Sequence, residues 1–128
     1  MARILLAEDE EALRGFLNRA LTEMGHEVVA AVDGAEALDR LVSRGGAFDL
    51  LLTDIKMPIM DGIALALAAA RDYPRLVILL MTGYADQRER AHGLDALIHD
   101  VIAKPFTLPE IRAAVSSALA AGEHRRGG

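Results

Sequence analysis

LLLTDIKMPIMDG, residues 50–62, is the stretch that decides the fold. It opens with the run Leu50–Thr53 and passes directly to an acid, Asp54, before a loop that contains Pro58. A run that is apolar throughout predicts a strand covered on both faces, which is typical of parallel sheets. Asp54 therefore stands where such a strand ends.

Apolar runs alternate with helical patterns five times along the chain, which favours βα units around a parallel sheet. The predicted strands are Arg3–Ala7, Glu27–Ala31, Leu50–Thr53, Leu76–Met81 and Val101–Ala103. The predicted helices are Glu10–Met24, Asp33–Val42, Ile63–Arg71, Asp86–Ala91 and Leu108–Ala120. Capping boxes pair Asp33 with Glu36 and Thr107 with Glu110, and Gly25 is placed for a left-handed C-terminal cap.

Size and composition indicate one domain of 128 residues, which we assign to residues 1–121 with a flexible polar tail at 122–128. The chain lacks cysteine, carries a net charge of −5 and has no signal-peptide pattern at its start. Non-specific nucleic-acid binding needs a basic surface, and a bilayer span needs about 18 apolar residues. We expect a cytoplasmic monomer that binds neither nucleic acid nor membrane.

Polar side chains follow four of the predicted strands at the point where each strand ends. In an open parallel sheet the carboxyl ends of the strands form one rim, where ligands bind. We therefore expect one shallow pocket to collect the following residues: Glu8, Asp9, Asp54, Thr82 and Lys104.

Three carboxylates in one pocket repel each other, at on the order of 4 kcal/mol for a pair about 4 Å apart in an effective dielectric of about 20. Hard oxygen ligands without cysteine or histidine point to Mg²⁺ as the neutralising cation. A carboxylate beside Mg²⁺ can attack phosphorus and become an acyl phosphate. The Lys104 ammonium would neutralise further charge, and the Thr82 hydroxyl would bind a phosphoryl oxygen once it arrives.

The chain resembles the response-regulator receiver domains of two-component signalling, over Arg3 to about Ala120. The motifs that carry the resemblance are Glu8-Asp9, Asp54 with Met57-Pro58 and Asp61-Gly62, Thr82-Gly83, and Lys104-Pro105-Phe106. The resemblance implies an α/β fold of the doubly wound, flavodoxin-like (CheY-like) type, with five parallel strands in the order 2-1-3-4-5.

The resemblance also implies roles for the pocket residues. Asp54 would accept a phosphoryl group from a phosphohistidine, supplied by a histidine kinase or a histidine phosphotransferase. Asp9, Asp54 and the main-chain oxygen of Lys56 would ligate Mg²⁺, with Glu8 acting through water. Lys104 would pair with Asp54 and then with its phosphate. The Lys104-Pro105 peptide bond is usually cis in the family.

Three further positions carry implied roles, and two positions depart from the family pattern. Thr82 would be the switch hydroxyl, while Lys56 and Tyr84 occupy the variable positions that tune dephosphorylation. Glu8 replaces the commoner Asp, a longer arm that a water-bridged role tolerates. Val101 stands where the family often has an aromatic residue, which puts the usual coupling between aromatic and threonine in doubt.

Several functions are open for such a chain. The first is a stand-alone receiver that catalyses only its own phosphorylation and dephosphorylation and whose output is a protein interaction. The second is a CpdR-like adaptor, a subgroup similar in residues 1–9, which controls substrate loading onto an ATP-dependent protease. The third is a phosphorelay intermediate. A haloacid-dehalogenase-type phosphatase would need an acid where Lys56 stands, and one Thr-Gly turn gives little support to a flavin-binding protein.

Overall fold

Five parallel strands form one sheet in the computed structural model, which describes residues 1–83, 89–91 and 93–127, with side chains as far as residue 123. The strands are β1 (Arg3–Ala7), β2 (Glu27–Ala31), β3 (Leu50–Asp54), β4 (Val77–Thr82) and β5 (Asp100–Ala103). Their order in the sheet is β2-β1-β3-β4-β5, and every neighbouring pair is parallel. The predicted fold class and strand order are therefore confirmed.

Helices connect the strands on both faces of the sheet. They are α1 (Glu11–Glu23), α2 (Gly34–Ser43), α3 (Gly62–Asp72) and α4 (Leu108–Gly127). The predicted helix Asp86–Ala91 falls partly outside the described residues, and its described part, residues 89–91, is helical. Within the described part of the chain, every helix is too short or too polar to cross a membrane.

Helix α4 continues beyond the predicted end at Ala120 and reaches Gly127. The prediction of its end was therefore wrong. Gly122 lowers helix propensity by only about 1 kcal/mol relative to alanine, and no proline follows it to stop the helix. The division into a domain at residues 1–121 and a flexible tail at 122–128 stays a prediction.

Strand β3 is buried on both faces and divides the core between two layers of helices. Leu51 packs on one face in a cluster with residues of α2 and α3, including Leu41 and Leu65. Leu50 and Leu52 point to the other face, in a cluster with residues of α1 and α4 such as Leu17, Leu21, Ile111 and Val115. Burying a leucine contributes roughly 1.5–3 kcal/mol, so the alternation along β3 fixes the register of the central strand.

Local features hold the starts of α2 and α4 and the end of α1 near the positions that the sequence predicts. The Asp33 side chain accepts the N–H of Glu36 at 2.8 Å, and Thr107 and Glu110 exchange side-chain-to-backbone bonds at 2.8 and 3.3 Å. Gly25 follows α1 with φ +93°, the left-handed region that favours glycine. These caps fix how each helix enters or leaves the sheet.

The strand register brings the carboxyl ends of the central strands to one edge. Ala7 lies opposite Thr53 in β3, so the chain turns to Glu8 beside the end of that strand. Asp54 lies opposite Met81, and Thr82 lies opposite Ala103. The polar residues at these ends therefore share one rim.

Candidate functional site

Three carboxylates converge at this rim. One carboxylate oxygen from each of Glu8, Asp9 and Asp54 lies within 4.8 Å of the others. Glu8 and Asp9 follow β1, whereas Asp54 is the last residue of β3. Glu8 and Asp54 are buried and Asp9 is exposed, so the cluster is open to solvent on the side of Asp9.

Lys104 supplies the positive charge in the cluster. Its Nζ lies 2.9 Å from Oε1 of Glu8 and 3.0 Å from Oδ2 of Asp54. Its backbone N–H donates to the carbonyl oxygen of Thr82 at 2.7 Å, and the Lys104-Pro105 peptide bond is cis. Lys104 therefore contacts the acidic cluster through its ammonium and the end of β4 through its backbone.

The side chain of Glu8 is held inside the protein rather than at its surface. Its side chain is fully buried; Oε1 accepts from Lys104, and Oε2 accepts the N–H of Glu10 at 3.2 Å. Burial raises the pKa of Glu8 to about 7; the Asp54 charge adds to this increase, and the bond from Lys104 opposes it. Burial alone would lower the pKa of Lys104, but its bonds to Glu8 and Asp54 raise it. The contact between Glu8 and Lys104 was not predicted.

An open cavity of about 530 Å³ adjoins the cluster. Its lining comprises Asp9, Glu10, Asp54, Lys56, Gly83, Lys104 and Pro105. Carboxylate oxygens are the ligands that hard divalent cations prefer, and such cations keep several waters that need room. The Lys104 ammonium carries one positive charge against three carboxylates, so it balances only part of their negative charge when all three are ionised. The donor set and the space therefore fit a divalent cation.

Of the remaining predicted site residues, Thr82 and Lys56 lie at or near the same rim. Thr82 is buried at the end of β4. Lys56 is exposed and lines the cavity. Tyr84 lies outside the described residues. Val101 is half-buried and packs against the core cluster on the α2 and α3 side.

Another cavity, of about 660 Å³, lies at the opposite ends of the strands. It is lined by Arg3, Asp49, Tyr73 and neighbouring residues, and none of the predicted site residues contributes to it. The acidic cluster at the carboxyl rim, with its opposed lysine, remains the site at which chemistry is expected.

Two glycines that support the site were not assigned this role from the sequence. Gly62 begins α3 and donates to the carbonyl oxygen of Ile55 at 2.7 Å; a β-carbon there would overlap the carbonyl group of Asp54. Gly34 donates to the carbonyl oxygen of Met60 at 3.2 Å, and a β-carbon there would overlap that oxygen. The signal was present as two acid-glycine pairs at helix starts, but close backbone approach cannot be read from a sequence.

Asp61 caps α3, the helix that follows the loop after Asp54. Its Oδ1 accepts the N–H of Ala64 at 2.8 Å, and its Oδ2 accepts from Nη2 of Arg90 at 2.8 Å. Burial alone would raise the pKa of Asp61, but these two bonds hold it below its usual value. The cap therefore links α3 to the segment at residues 89–91.

Arg14 was also missed by the sequence predictions. From the first turns of α1, its Nη1 donates to the carbonyl oxygen of Glu8 at 3.0 Å and to that of Asp9 at 3.4 Å. Arg14 lies in an amphipathic helix pattern five residues after Asp9, and nothing in the sequence indicates that its side chain turns back to the preceding loop.

Comparison with known proteins agrees with this geometry. The family model of the response regulator receiver domain matches residues 4–116. The response regulator receiver protein CpdR of Brucella abortus is 42% identical over 111 residues, a match covering 87% of this chain and 91% of that protein. The response regulator MprA of Mycobacterium avium is 38% identical over 117 residues; the match covers 91% of this chain but 50% of MprA.

Solved structures show the same fold. A CheY-like response regulator receiver domain protein from Methanospirillum hungatei superposes with a TM-score of 0.88 at 28% identity, covering 98% of both chains. The response regulator TrrA from Thermotoga maritima, solved in complex with Mg²⁺ and BeF, superposes with a TM-score of 0.82 at 30% identity, covering 92% of this chain and 99% of that one.

Proposed function

The chain belongs to the response regulator receiver family of two-component systems, and we propose that phosphorylation of Asp54 controls its binding to a downstream protein. The family is one of signalling proteins rather than of phosphatases or flavin enzymes. The observation that carries the proposal is the Lys104 ammonium held between the carboxylates of Glu8 and Asp54, 2.9 and 3.0 Å away, at the mouth of an open cavity.

In this proposal Asp54 is the nucleophile. An oxygen of its carboxylate forms a bond to the phosphorus of a phosphohistidine while the N–P bond breaks, and the imidazole nitrogen keeps that electron pair. Such a transfer needs alignment and charge neutralisation more than covalent assistance. Nζ of Lys104 lies 3.0 Å from Oδ2 of Asp54, so its charge is already beside the reacting carboxylate. Thr82 would donate its hydroxyl to the new phosphoryl group.

Mg²⁺ is the proposed cation, held by Asp9, Asp54 and the main-chain oxygen of Lys56, with Glu8 acting through water. When bound, it neutralises charge on the phosphoryl oxygens. The complex of TrrA with Mg²⁺ and BeF supports this assignment, since beryllium fluoride takes the place of a phosphoryl group. Lys56, which lines the cavity, and Tyr84 would tune the lifetime of the phosphorylated state.

The partners in this proposal are a histidine kinase or histidine phosphotransferase upstream and a protein target downstream. The net charge of −5 opposes contact with nucleic acid or with anionic membranes. We place the protein in the cytoplasm and treat it as a monomer. Its catalysis would be limited to its own phosphorylation and dephosphorylation.

Incubation with acetyl phosphate and Mg²⁺ tests the phosphoacceptor. Intact-mass spectrometry should show a gain of about 80 Da for the wild type, and Asp54→Asn should remove it. Asp39→Asn, which changes an exposed acid of α2, is the matched control and should label like the wild type. Labelling that survives in Asp54→Asn would place the nucleophile elsewhere.

A second candidate function is that of an adaptor that controls substrate delivery to an ATP-dependent protease. It is favoured by the 42% identity to CpdR of Brucella abortus across 91% of that protein. Pull-down with the purified protease unfoldase should separate the unphosphorylated protein, or Asp54→Ala, from the form loaded with beryllium fluoride. No binding by either form would remove this candidate.

A phosphorelay intermediate is the remaining alternative. The phosphorylated protein would then lose its label to a histidine phosphotransferase faster than to water. Equal rates of loss with and without that partner would argue against a relay.

A further inference from the structure

Arg14 ties the first helix back to the loop that carries the acidic pair. One nitrogen, Nη1, donates to the carbonyl oxygen of Glu8 at 3.0 Å and to that of Asp9 at 3.4 Å. The side chain is half-buried, so part of its stem is already immobilised. Both bonds end on backbone atoms, so Arg14 fixes the path of the chain rather than the charge of a carboxylate.

The loop needs such a tie because α1 begins without a side-chain cap. Glu10 stands at the N-cap position, and its side chain makes no hydrogen bond to the helix. Among the other bonds that hold the loop, the N–H of Glu8 donates to the carbonyl oxygen of Ala31 at 3.1 Å, and the N–H of Glu10 donates to Oε2 of Glu8 at 3.2 Å. These bonds hold the two flanks of Asp9, whereas Arg14 reaches the carbonyl of Asp9 itself.

We propose that Arg14 is a positioning residue for the cation site, holding the backbone of Glu8 and Asp9 so that both carboxylates face Asp54 before a cation arrives. This inference rests on the proposed function of the pocket. Fixing the backbone of a residue costs conformational entropy. If the loop is already ordered, cation binding does not have to reduce its conformational entropy. If the loop is loosened, cation binding must order it and is weakened.

The expected effect lies in cation affinity. Loss of groups that orient metal ligands typically weakens metal binding by about 10–100-fold. We expect Arg14→Met, which keeps an apolar stem, to weaken Mg²⁺ binding by about tenfold, the lower end of that range. Arg14→Lys keeps the charge but lacks the planar guanidinium, and should fall between Arg14→Met and the wild type.

Isothermal titration calorimetry with Mg²⁺ tests the inference on the whole chain. Arg19→Met changes an exposed arginine on the same helix and should leave the dissociation constant unchanged. Labelling by acetyl phosphate should slow in Arg14→Met at low Mg²⁺ and recover at saturating Mg²⁺, since the reacting groups are intact. Without Mg²⁺, the backbone amides of residues 8–10 should exchange hydrogen faster in Arg14→Met than in Arg19→Met.

Two outcomes would overturn the inference. One is a dissociation constant for Mg²⁺ within twofold of the wild type in both Arg14 variants. The other is a labelling defect in Arg14→Met that persists at saturating Mg²⁺, which would give Arg14 a role beyond the cation. If Arg14→Met does not fold, Arg14→Lys and its amide exchange decide. Failure of the proposed function would look different, since the wild type itself would then not label.

Discussion

Replacing Gly62 by alanine tests whether the loop after Asp54 is fixed by close backbone packing. A β-carbon at this position would overlap the carbonyl oxygen of Asp54 and lie 2.9 Å from its carbonyl carbon and from Cα of Ile55. Carbon atoms in contact are about 3.5–4.0 Å apart. All three obstructing atoms belong to the backbone, so no rotamer change can relieve the overlap and the start of α3 must move away from β3.

The size of the effect follows from three contributions. Overpacking in a well-packed site costs about 1–3 kcal/mol. Moving α3 also strains the bond from the N–H of Gly62 to the carbonyl oxygen of Ile55, 2.7 Å long, and such a bond contributes about 1 kcal/mol. The higher helix propensity of alanine offsets up to about 1 kcal/mol of this loss in the free energy of unfolding. The net expectation is a loss of about 1–3 kcal/mol in the free energy of unfolding.

Gly15→Ala is the matched control, because Gly15 lies in α1 and a β-carbon there would meet no atom within 4 Å. That change should stabilise the protein by about 0.5–1 kcal/mol. Urea denaturation followed by circular dichroism measures both variants, which should move in opposite directions. A Gly62→Ala midpoint equal to or above that of the wild type would refute the close packing of α3 against Asp54.

Two further predictions concern the loop between β3 and α3. Ile59 is 85% exposed and has φ +69°, a conformation that strains a β-branched residue. Ile59→Asn should therefore raise the free energy of unfolding by about 0.5–1 kcal/mol, measured as a higher urea midpoint. A lower midpoint would contradict the strain. Asp61→Ala should cost about 1 kcal/mol at pH 7 through the lost cap. The pKa of Asp61 is lowered in the folded protein. The stabilisation by its carboxylate is therefore present above the unfolded pKa of about 3.9 and is lost as pH falls through the folded pKa. The urea midpoints of Asp61→Ala and wild type should converge in acid, and a constant gap would contradict the linkage.

The sheet could be predicted from the sequence because each of its strands leaves a local signal. Leu50–Thr53 is too apolar for a surface strand, and the acid Asp54 directly after it marks where the apolar run ends. The structure extends the strand by one residue to include Asp54, which lies opposite Met81 in β4. The end of the last helix was missed, because Gly122 is a weak stop signal and α4 continues through it to Gly127.

The membership of the pocket was predictable for a topological reason, whereas its contacts were not. A parallel sheet brings the residues after its strands to one rim, so Glu8, Asp54 and Lys104 had to meet there once the strand order was known. Which acid reaches the lysine depends on side-chain length and on rotamers. The longer arm of Glu8 reaches Nζ of Lys104 at 2.9 Å, and no spacing in the sequence carries that information. The positioning contacts of Arg14 escaped prediction for the same reason.

The position of Lys104 also provides a physical route from the pocket to β4. The ammonium has two partners in the described state, Glu8 and Asp54, and Glu8 is fully buried. In the proposed phosphorylated state a phosphoryl group on Asp54 would compete with Glu8 for that ammonium, and the stronger anion would draw the lysine toward the cavity. The backbone N–H of Lys104 donates to the carbonyl oxygen of Thr82 at 2.7 Å, so a shift of the lysine that reaches its backbone would act on the residue that carries the proposed switch hydroxyl. Such a route uses backbone and charge alone, and it would operate with Val101 in place of an aromatic residue.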